Sequence, residues 1–578
     1  MGNKLAFQLA DLFENVADHV PERTAIVYGE RRLTFREVDE RATRLAHYLA
    51  AQGVKQGDRV GLYLYNCNEY IEAALAAFKI RAVPVNINFR YVEEELRYLL
   101  DDAGVSGLVY HREFAPRVAA VAPRIATLRT LIEVDDGAGA LHPPQRGLSA
   151  RAVSSSALPS SQRGLSARAV SAEGAHLDAI DYDDALAAAS PERDFAERSG
   201  DDLYIIYTGG TTGMPKGVMW RHEDVFFAGL QGGNPGGPDI TEPGQLGPNA
   251  AARKDAPTTL PVAPLMHGNG HWSSMIGLHG GGKVVLATSR RLDPHEIWSL
   301  VERERVNILS IVGDAMARPL ADALYELETR AESPRRGYDT SSLLVLTSAG
   351  ALWSEDVKER LRAKLGSTLL IDAFGMSEAG HQGMNLGKNA DGKLRFAIDA
   401  FTAVLDEDLR RIEPGSGKVG MLARCGRLPL GYWNDAEKTA RTFVTDADGT
   451  RWVVAGDMAT VEPDGTVVVL GRGTFCINSG GEKIYPEEVE QALKSHPAVY
   501  DAVVVGVPDE RWGERVAAVV QPRAGLTATL EELAAHCRTR LAGYKVPREV
   551  HVVDEVRRSP SGKADYVWAR AVAKGETR

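Results

Sequence analysis

The residues best suited to chemistry lie in one stretch, Thr208-Gly-Gly-Thr-Thr-Gly-Met-Pro-Lys-Gly217. Gly209, Gly210 and Gly213 let a backbone approach an anion closely, the hydroxyls of Thr208, Thr211 and Thr212 can donate to phosphate oxygens, and Lys216 adds positive charge. The chemistry implied is a grip on a phosphate chain. A Walker A loop would place Gly directly before its lysine and Ser or Thr directly after it, whereas Lys216 sits between Pro215 and Gly217, so the P-loop reading fails. His267 and His271 are four apart, as in a helical metal pair. No Glu follows His267 as in HExxH, and Gly268 and Gly270 disfavour the helix that would align the two rings, so a metal pair is not expected.

The loop needs elements to position it. Residues 203–207 (LYIIY) form an apolar run of strand type leading into it. Residues 23–110 alternate strand-like runs at 24–28 and 59–65 with helical stretches at 35–52 and 69–80, the rhythm of a parallel sheet covered by helices, and the rhythm returns near 303–375. After Gly471-Arg472 the chain reads as a small α+β unit, with helices at 486–494 and 529–541 and strands at 502–507, 515–521 and 549–553. Pro486 followed by Glu487, Glu488 and Glu490 suits the first turns of a helix and its dipole, so that acidic run is structural. Residues 232–257, rich in Gly and Pro, read as an irregular excursion.

The chain has 578 residues, which suggests two to four structural units. With 44% hydrophobic and 25% charged residues it has enough apolar area for a large interior. A net charge of -11 argues against a surface that coats nucleic acid. Cys67, Cys425, Cys476 and Cys537 are far apart and form no CxxC pair, so neither zinc nor a disulfide framework is indicated and a reducing cytoplasm fits. Ala6 stands where a myristoylation signal starting at Gly2 needs Ser or Thr, residues 7–20 read as an amphipathic helix, and no export signal is found. No apolar run approaches the ~18 residues of a bilayer span, so membrane contact is at most peripheral. The decapeptide QRGLSARAVS occurs twice, at 145–154 and 162–171, among Ser, Pro and Ala; two copies make no solenoid, and a mobile surface loop is expected.

Residues 207–218 (YTGGTTGMPKGV) resemble the signature loop of the adenylate-forming, or AMP-binding, superfamily of acyl-CoA synthetases, peptide-synthetase adenylation domains and luciferases. The resemblance runs over nearly the whole chain in the family's order. It implies a large multi-layer α/β N-terminal domain, 1–472, with a mobile insert at about 140–175, and a small, mobile α+β C-terminal domain, 473–578.

By the same resemblance, Asp372-Ala373-Phe374-Gly375-Met376-Ser377-Glu378 is similar to the adenine and magnesium motif, with Phe374 and Ser377 where the family usually has Tyr and Thr. Phe374 keeps an aromatic face, Ser377 keeps a hydroxyl, and Glu378 is the implied Mg²⁺ ligand. Ser348-Ala-Gly350-Ala351 resembles the loop on the adenine's other side. Asp457 and Arg472 resemble the pair that holds the ribose hydroxyls. A local argument supports them: in a hairpin turning on Asp464-Gly465, Asp457 and Arg472 face each other and could grip one diol, although a bulge would shift the register and a plain cross-strand ion pair is the other reading. Ser559-Pro-Ser-Gly-Lys563 is similar to the C-terminal catalytic-lysine motif, with Arg557 in the family's Pro position. An ammonium there stabilises charge that builds on the α-phosphate. Thr474 takes the hinge position, usually Asp or Lys. The segment from Ser479 through Gly480 and Gly481 to Lys483 resembles the loop that lines the pantetheine channel once the small domain has rotated, and 543–547 resembles another small-domain loop.

The acyl pocket is implied near residues 264–272, where His267 takes the place of the gating residue; Gly268 and Gly270 leave room for bulk, and Trp272 and Met275 are apolar. Val312, in a segment similar to that of bacterial synthetases for long-chain or steroid side-chain acids, joins that list; Asp314 beside it reads equally as a helix N-cap. No Asp stands at the start of 264–272 as in the amino-acid-activating relatives. The resemblance therefore implies an acid–thiol ligase that uses ATP, Mg²⁺ and coenzyme A to activate a medium- or long-chain fatty acid or steroid side-chain acid, with Thr208, His267, Glu378 and Lys563 as its catalytic residues. The alternative is an acyl-AMP ligase that loads a carrier protein. A homodimer is expected from the relatives, and a nucleic-acid partner is not. Deleting residues 145–171 is expected to leave thioester formation near the wild-type rate; a crippled enzyme would overturn the surface-loop reading.

Overall fold

A computed structural model describes residues 5–135, 178–208, 214–329, 337–351, 353–385, 395–479, 482–509, 512–559 and 562–576. Gly2, both QRGLSARAVS copies and nearly all of the expected insert lie outside the described residues. A large mixed α/β domain is followed by a smaller α+β domain with its own sheet.

The early βα rhythm forms a five-stranded sheet in the order Val83–Asn86, Arg59–Tyr63, Val105–His111, Thr130–Val134, Ala179–Asp181, with every pair parallel. Val105–His111 is buried along its whole length, as expected of a strand with helices over it. The helix Phe35–Ala51 begins at a capping box between Thr34 and Glu37. Thr24–Tyr28 departs from that sheet: it pairs antiparallel with Arg31–Thr34 and parallel with Val284–Leu286, at the edge of a 14-stranded sheet. The rhythm near 303–375 builds the parallel centre of this larger sheet, Thr259–Pro261, Ile308–Ile311, Val345–Ala349 and Leu369–Met376. Beyond Leu369–Met376 the strands turn antiparallel, through Gly380–Asn385 and Arg395–Ile398 to the hairpin of Arg451–Val461 and Val467–Arg472.

The excursion at 232–257 contains a helix, Leu246–Ala252, contrary to the reading from its glycines and prolines. Tertiary contact overrides composition there: Gly247 N–H donates to Asn15 Oδ1 at 2.6 Å, and a Cβ on Gly247 would collide with Asn15, so the glycine lets this helix close on Leu9–His19.

In the small domain the elements fall where the sequence puts them: helix Pro486–Lys494, the long hairpin Val499–Asp509 with Gly513–Pro522, helix Leu530–Arg538 capped by Thr529, and strand Glu549–Val552. The acidic run is used structurally. Glu488 accepts from Tyr485 N–H at 3.3 Å and from Lys545 at 2.7 Å, and Glu490 accepts from Val504 N–H at 3.0 Å. The two domains touch where the buried Arg318 lies 5.6 Å from the Tyr500 ring and Arg523 lies 3.8 Å from Asp356.

Beneath the large domain, fully buried Lys79 joins Glu14 and Asp39, the latter at 2.8 Å, while Arg198 joins Asp11 at 2.6 Å and also Glu14. Burial alone would raise the Glu14 carboxyl, but Lys79 and Arg198 outweigh it and hold the group down at about 2, against 4.5 ordinarily. A carboxyl depressed on folding contributes stability above its unfolded value and loses it as pH falls through the folded one. Stability from Glu14 is therefore expected to fade between pH 4.5 and about 2. Lys79→Met leaves buried carboxylates short of a cation and should cost about 3–5 kcal/mol in urea denaturation at pH 7, shrinking toward acid pH; a loss independent of pH would contradict this account.

Candidate active site

Leu203–Thr208 and Lys216–Arg221 form an antiparallel hairpin in which Thr208 faces Lys216. Gly209, Gly210, Thr211, Thr212 and Gly213 lie outside the described residues. Tyr204, Ile205, Ile206 and Tyr207 are all buried, so this strand enters the interior before presenting Thr208. Gly217 is required by close packing, since a Cβ would sit 2.8 Å from Ile205 and 2.9 Å from Tyr207. The side chain of Asn86 holds the strand in place: Tyr207 N–H donates to its Oδ1 at 2.7 Å, and its Nδ2 donates to Tyr207 O at 2.8 Å and to Met266 O at 2.6 Å.

A third strand, Gly431–Tyr432, pairs with Val218 and Met219 and brings in two residues that sequence reasoning missed. Tyr432 donates its hydroxyl to Glu378 Oε1 at 3.0 Å, and Asp435, the N-cap of helix Ala436–Thr442, makes an ion pair with Lys216. Asp435 had a visible signal, an Asp opening a helix; Asn86 and Tyr432 had none, because their partners are more than 50 residues away.

Strand Leu369–Met376 ends at Ser377 and the buried Glu378. Asp372 does not turn its carboxylate to the cleft. It is buried in an ion pair with Lys358 of helix Glu355–Leu365, which is a structural use of a residue expected at the nucleotide. Ala373 pairs with Met384 and Ala349 within the sheet. Phe374 stands with its ring 5.7 Å from Phe396, a bulge follows it, Gly375 closes on the Gly380 carbonyl, and the Ser377 carbonyl accepts from Trp220 Nε1 at 2.9 Å. Glu378 supplies one carboxylate with one oxygen engaged by Tyr432; among the described residues no group of three or more His, Cys, Asp or Glu could hold a metal. That donor set suits magnesium, which keeps its waters and binds through one or two carboxylates together with phosphates.

The neighbouring strand Val345–Ala349 delivers Gly350 and Ala351 to the same side. Gly350 has φ +89°, and a Cβ there would approach Val312 at 3.9 Å. Ser348 accepts from Gly313 N–H at 2.8 Å, and Asp314 in the first turn of helix Gly313–Thr329 accepts from Ser354 N–H at 2.8 Å. These residues thus lie at the carboxyl ends of the parallel strands, where open α/β sheets bind ligands.

His267 is the N-cap of a helix, Gly268–His279, so the expectation that Gly268 and Gly270 would prevent a helix is overturned. Gly270 permits it: a Cβ there would strike the Ala263 and Pro264 carbonyls. Gly270 therefore serves backbone packing and does not make room for an acyl chain, whereas Gly268 faces Ile206 and the half-buried Trp272, whose Nε1 donates to the Tyr204 hydroxyl at 3.2 Å. Burial, and then the positive charges of Lys563 and Arg90, push His267 down to about 3, so its ring is neutral. Its Nε2 has no hydrogen-bond partner among the described residues. The small domain brings Lys563 to this place by resting Gly562 on the large domain, where a Cβ would lie 3.2 Å from Val312 and from Ala315.

Asp457 does face Arg472, with Met458 opposite Gly471. The turn is longer than the sequence suggested: Val461 pairs with Val467 and Glu462 N–H donates to Thr466 O at 2.8 Å, leaving Pro463, Asp464 and Gly465 in the loop. A bulge between Met458 and Ala459 adds the missing residue and restores the expected pair. Ser479 is buried in strand Ile477–Ser479, which pairs with Glu482–Ile484 at the edge of the small sheet; Gly480 and Gly481 lie outside the described residues. That hairpin belongs to a different part of the small domain from Gly562 and Lys563.

Glycines at the ends of parallel strands, with a lysine of a second domain resting nearby, are the form of a two-domain nucleotide-handling enzyme. The chain belongs to the AMP-binding enzyme family, whose pattern matches residues 13–427, with the AMP-binding enzyme C-terminal domain matching 488–563. It is 46% identical over 571 residues to a 3-oxocholest-4-en-26-oate–CoA ligase of Rhodococcus rhodochrous, covering 98% of this chain and 96% of the relative. It is 44% identical over 576 residues to a medium/long-chain-fatty-acid–CoA/3-oxocholest-4-en-26-oate–CoA ligase of Mycolicibacterium smegmatis, covering 99% and 97%. ATP-bound MatB from Rhodopseudomonas palustris superposes with a TM-score of 0.74 at 25% identity, over 98% of this chain and all of that one.

Asn86→Ala would strand the Tyr207 N–H and two carbonyls. Since a buried unsatisfied polar group costs about 1–3 kcal/mol, we expect urea denaturation to show a loss of about 2–4 kcal/mol; a loss below about 1 kcal/mol would mean that water or neighbours replace the clamp.

Proposed function

We propose that this chain is an AMP-forming acyl-CoA synthetase for a hydrophobic carboxylic acid, in which the unit 473–578 turns against 1–472 between two half-reactions. The observation that carries the proposal is that Lys563 lies near enough to the half-buried, neutral His267 for its charge to act on the ring, with His267 on the large domain that holds the parallel strands. In the first half-reaction a carboxylate oxygen attacks the α-phosphorus of ATP, the bond to the β-phosphate oxygen breaks, and pyrophosphate leaves. In the second, the coenzyme A thiol gives up its proton and attacks the acyl carbonyl, and AMP departs as the thioester forms.

The roles follow from the side chains. Thr208, the glycine loop and Lys216 hold the β- and γ-phosphates; Lys216 exchanges Asp435 for phosphate as ATP enters. Lys563 meets the charge that accumulates on the α-phosphoryl group. Phe374 and Gly350 flank the adenine, while Asp457 and Arg472 take the ribose. Magnesium, when bound, neutralises phosphate charge, and Glu378, oriented by Tyr432, is the residue to hold it. His267 stays uncharged beside Lys563, so it neither competes for the substrate carboxylate nor adds a second cation. Ser479, Gly480, Gly481 and Lys483 serve the thiol after rotation.

The substrate class rests on the Rhodococcus and Mycolicibacterium relatives, named for a steroid acid and for medium- and long-chain fatty acids, and on the apolar Ile206 and Trp272 beside Gly268. A cytoplasmic location agrees with four free cysteines, and no described helix is long and apolar enough to cross a membrane. We carry the homodimer forward as a proposal that sedimentation at working concentration decides.

Two measurements test the reading. A competition screen of aliphatic, aromatic and sterol acids with ATP and coenzyme A, read by product mass, should yield aliphatic or sterol thioesters; transfer only to a carrier-protein thiol would favour the acyl-AMP ligase. Lys563→Ala should lower acid-dependent pyrophosphate release by about 10² to 10³ while leaving thioester formation from supplied acyl-adenylate near wild type. Equal loss in both halves would refute the role given to Lys563.

A further inference from the structure

Lys563 follows a glycine at φ +71°, and its residue is exposed at the surface of the small domain. A long flexible side chain on a turn samples many rotamers, and a catalytic charge loses value quickly when displaced. Some fixed feature must set the backbone from which it extends. Three short hydrogen bonds close the turn locally: Ser559 N–H donates to Lys563 O at 2.8 Å, Gly562 N–H donates to Ser559 O at 2.9 Å, and Lys563 N–H donates to Ser559 Oγ at 3.1 Å. They tie Ser559 to Gly562 and Lys563, but they do not place these residues in the domain.

Arg558 supplies that place. Its Nε and one terminal nitrogen donate to the two oxygens of Asp501 at 2.6 and 2.7 Å, a two-pronged pairing, and its other terminal nitrogen donates to the Gly562 carbonyl at 3.0 Å. The guanidinium thus spans from the base of the strand Val499–Asp509 to the peptide unit that joins Gly562 to Lys563. Asp501 is itself fixed. Its Oδ1 accepts from Ala502 N–H at 2.8 Å and lies 3.3 Å from the ammonium of fully buried Lys494, at the end of helix Pro486–Lys494. Arg558 also pairs through its backbone with Ala564, and its carbonyl accepts from Arg90 of the large domain at 3.5 Å. A planar fork can bind a carboxylate with two donors and still offer a third; an ammonium at the same position cannot satisfy both ends at fixed geometry.

We propose that the Arg558–Asp501 pair is a positioning device for Lys563, holding the backbone of the lysine's turn at the height and angle that the adenylation half-reaction requires. Neither side chain touches substrate in this account. The inference rests on the adenylating role of Lys563 proposed above.

The test uses the full-length enzyme with Arg558→Lys, which keeps the charge and removes the fork, and Asp501→Asn, which keeps the shape and weakens the anchor. In both we expect kcat for acid-dependent pyrophosphate release to fall by about 10- to 100-fold, because displacement of a catalytic group by about 1 Å has that effect. The KM for ATP and thioester formation from supplied acyl-adenylate should stay near wild type. In a Lys563→Ala background Arg558→Lys should add no further loss, since the arginine acts only through the lysine. Wild-type adenylation in both variants, an additive loss in the Lys563→Ala background, or equal loss in both half-reactions would overturn the proposal. Undiminished adenylation in Lys563→Ala alone would overturn the role of the lysine itself, and this inference with it.

Discussion

One side chain ties the catalytic half of the molecule together. Asn86 ends a strand of the five-stranded parallel sheet, binds both polar backbone groups of Tyr207 in the three-stranded sheet, and reaches Met266, which follows the strand Thr259–Pro261 of the large sheet. Three sheets meet at one amide. Its satisfied donors and acceptor fix where Thr208 leaves the interior and where His267 starts its helix, so the proposed phosphate and acyl sites are set relative to each other by hydrogen bonds to backbone. An apolar residue could fill the same volume but could not hold those groups in register.

Most individual elements were legible because their signals are local. Thr34 with Glu37 and Thr529 with Glu532 mark helix starts, and apolar periodicity marks the strands of the small domain. The arrangement of strands was less so. Thr24–Tyr28 has the composition of its neighbours and yet joins a different sheet, because its partner Val284–Leu286 lies 250 residues on. The two glycine-based errors share a cause. Gly247 and Gly270 are poor helix formers in isolation, and both occur in helices because another backbone comes too close for a side chain. Composition reports the propensity; it does not report the neighbour.

The proposed site was readable in the sequence where its residues are contiguous, as in 207–218 and 559–563, parts of which lie outside the described residues. It was hidden where chemistry depends on a partner across the fold. Asp372 lies inside a recognisable motif and yet pairs its charge with Lys358, while Tyr432 and Asp435 lie outside the motifs of the sequence and engage Glu378 and Lys216. The pairing of Asp457 with Arg472 came out as expected because two departures cancel: a turn one residue longer than assumed and a bulge that makes up the difference.

The two lysines of the site are held in opposite ways, and the contrast follows from what each must do. Lys216 pairs with Asp435, which follows the third strand of the same small sheet, so its charge is compensated, and under the proposed role exchanging one carboxylate for a phosphate chain would cost little net electrostatic energy. Lys563 comes from a separate domain that meets the large one at several places, among them Gly562 on Val312 and Ala315, Tyr500 against Arg318, Arg90 on the Arg558 carbonyl, and Arg523 near Asp356. Arg523 and Asp356 are 3.8 Å apart and partly exposed, the kind of pair that contributes little stability. In the proposed mechanism, a charge needed throughout nucleotide binding thus sits on the large domain, and a charge needed for only one half-reaction is carried by the smaller one. The neutrality of His267 agrees with that proposal, because a second cation near Lys563 would repel it.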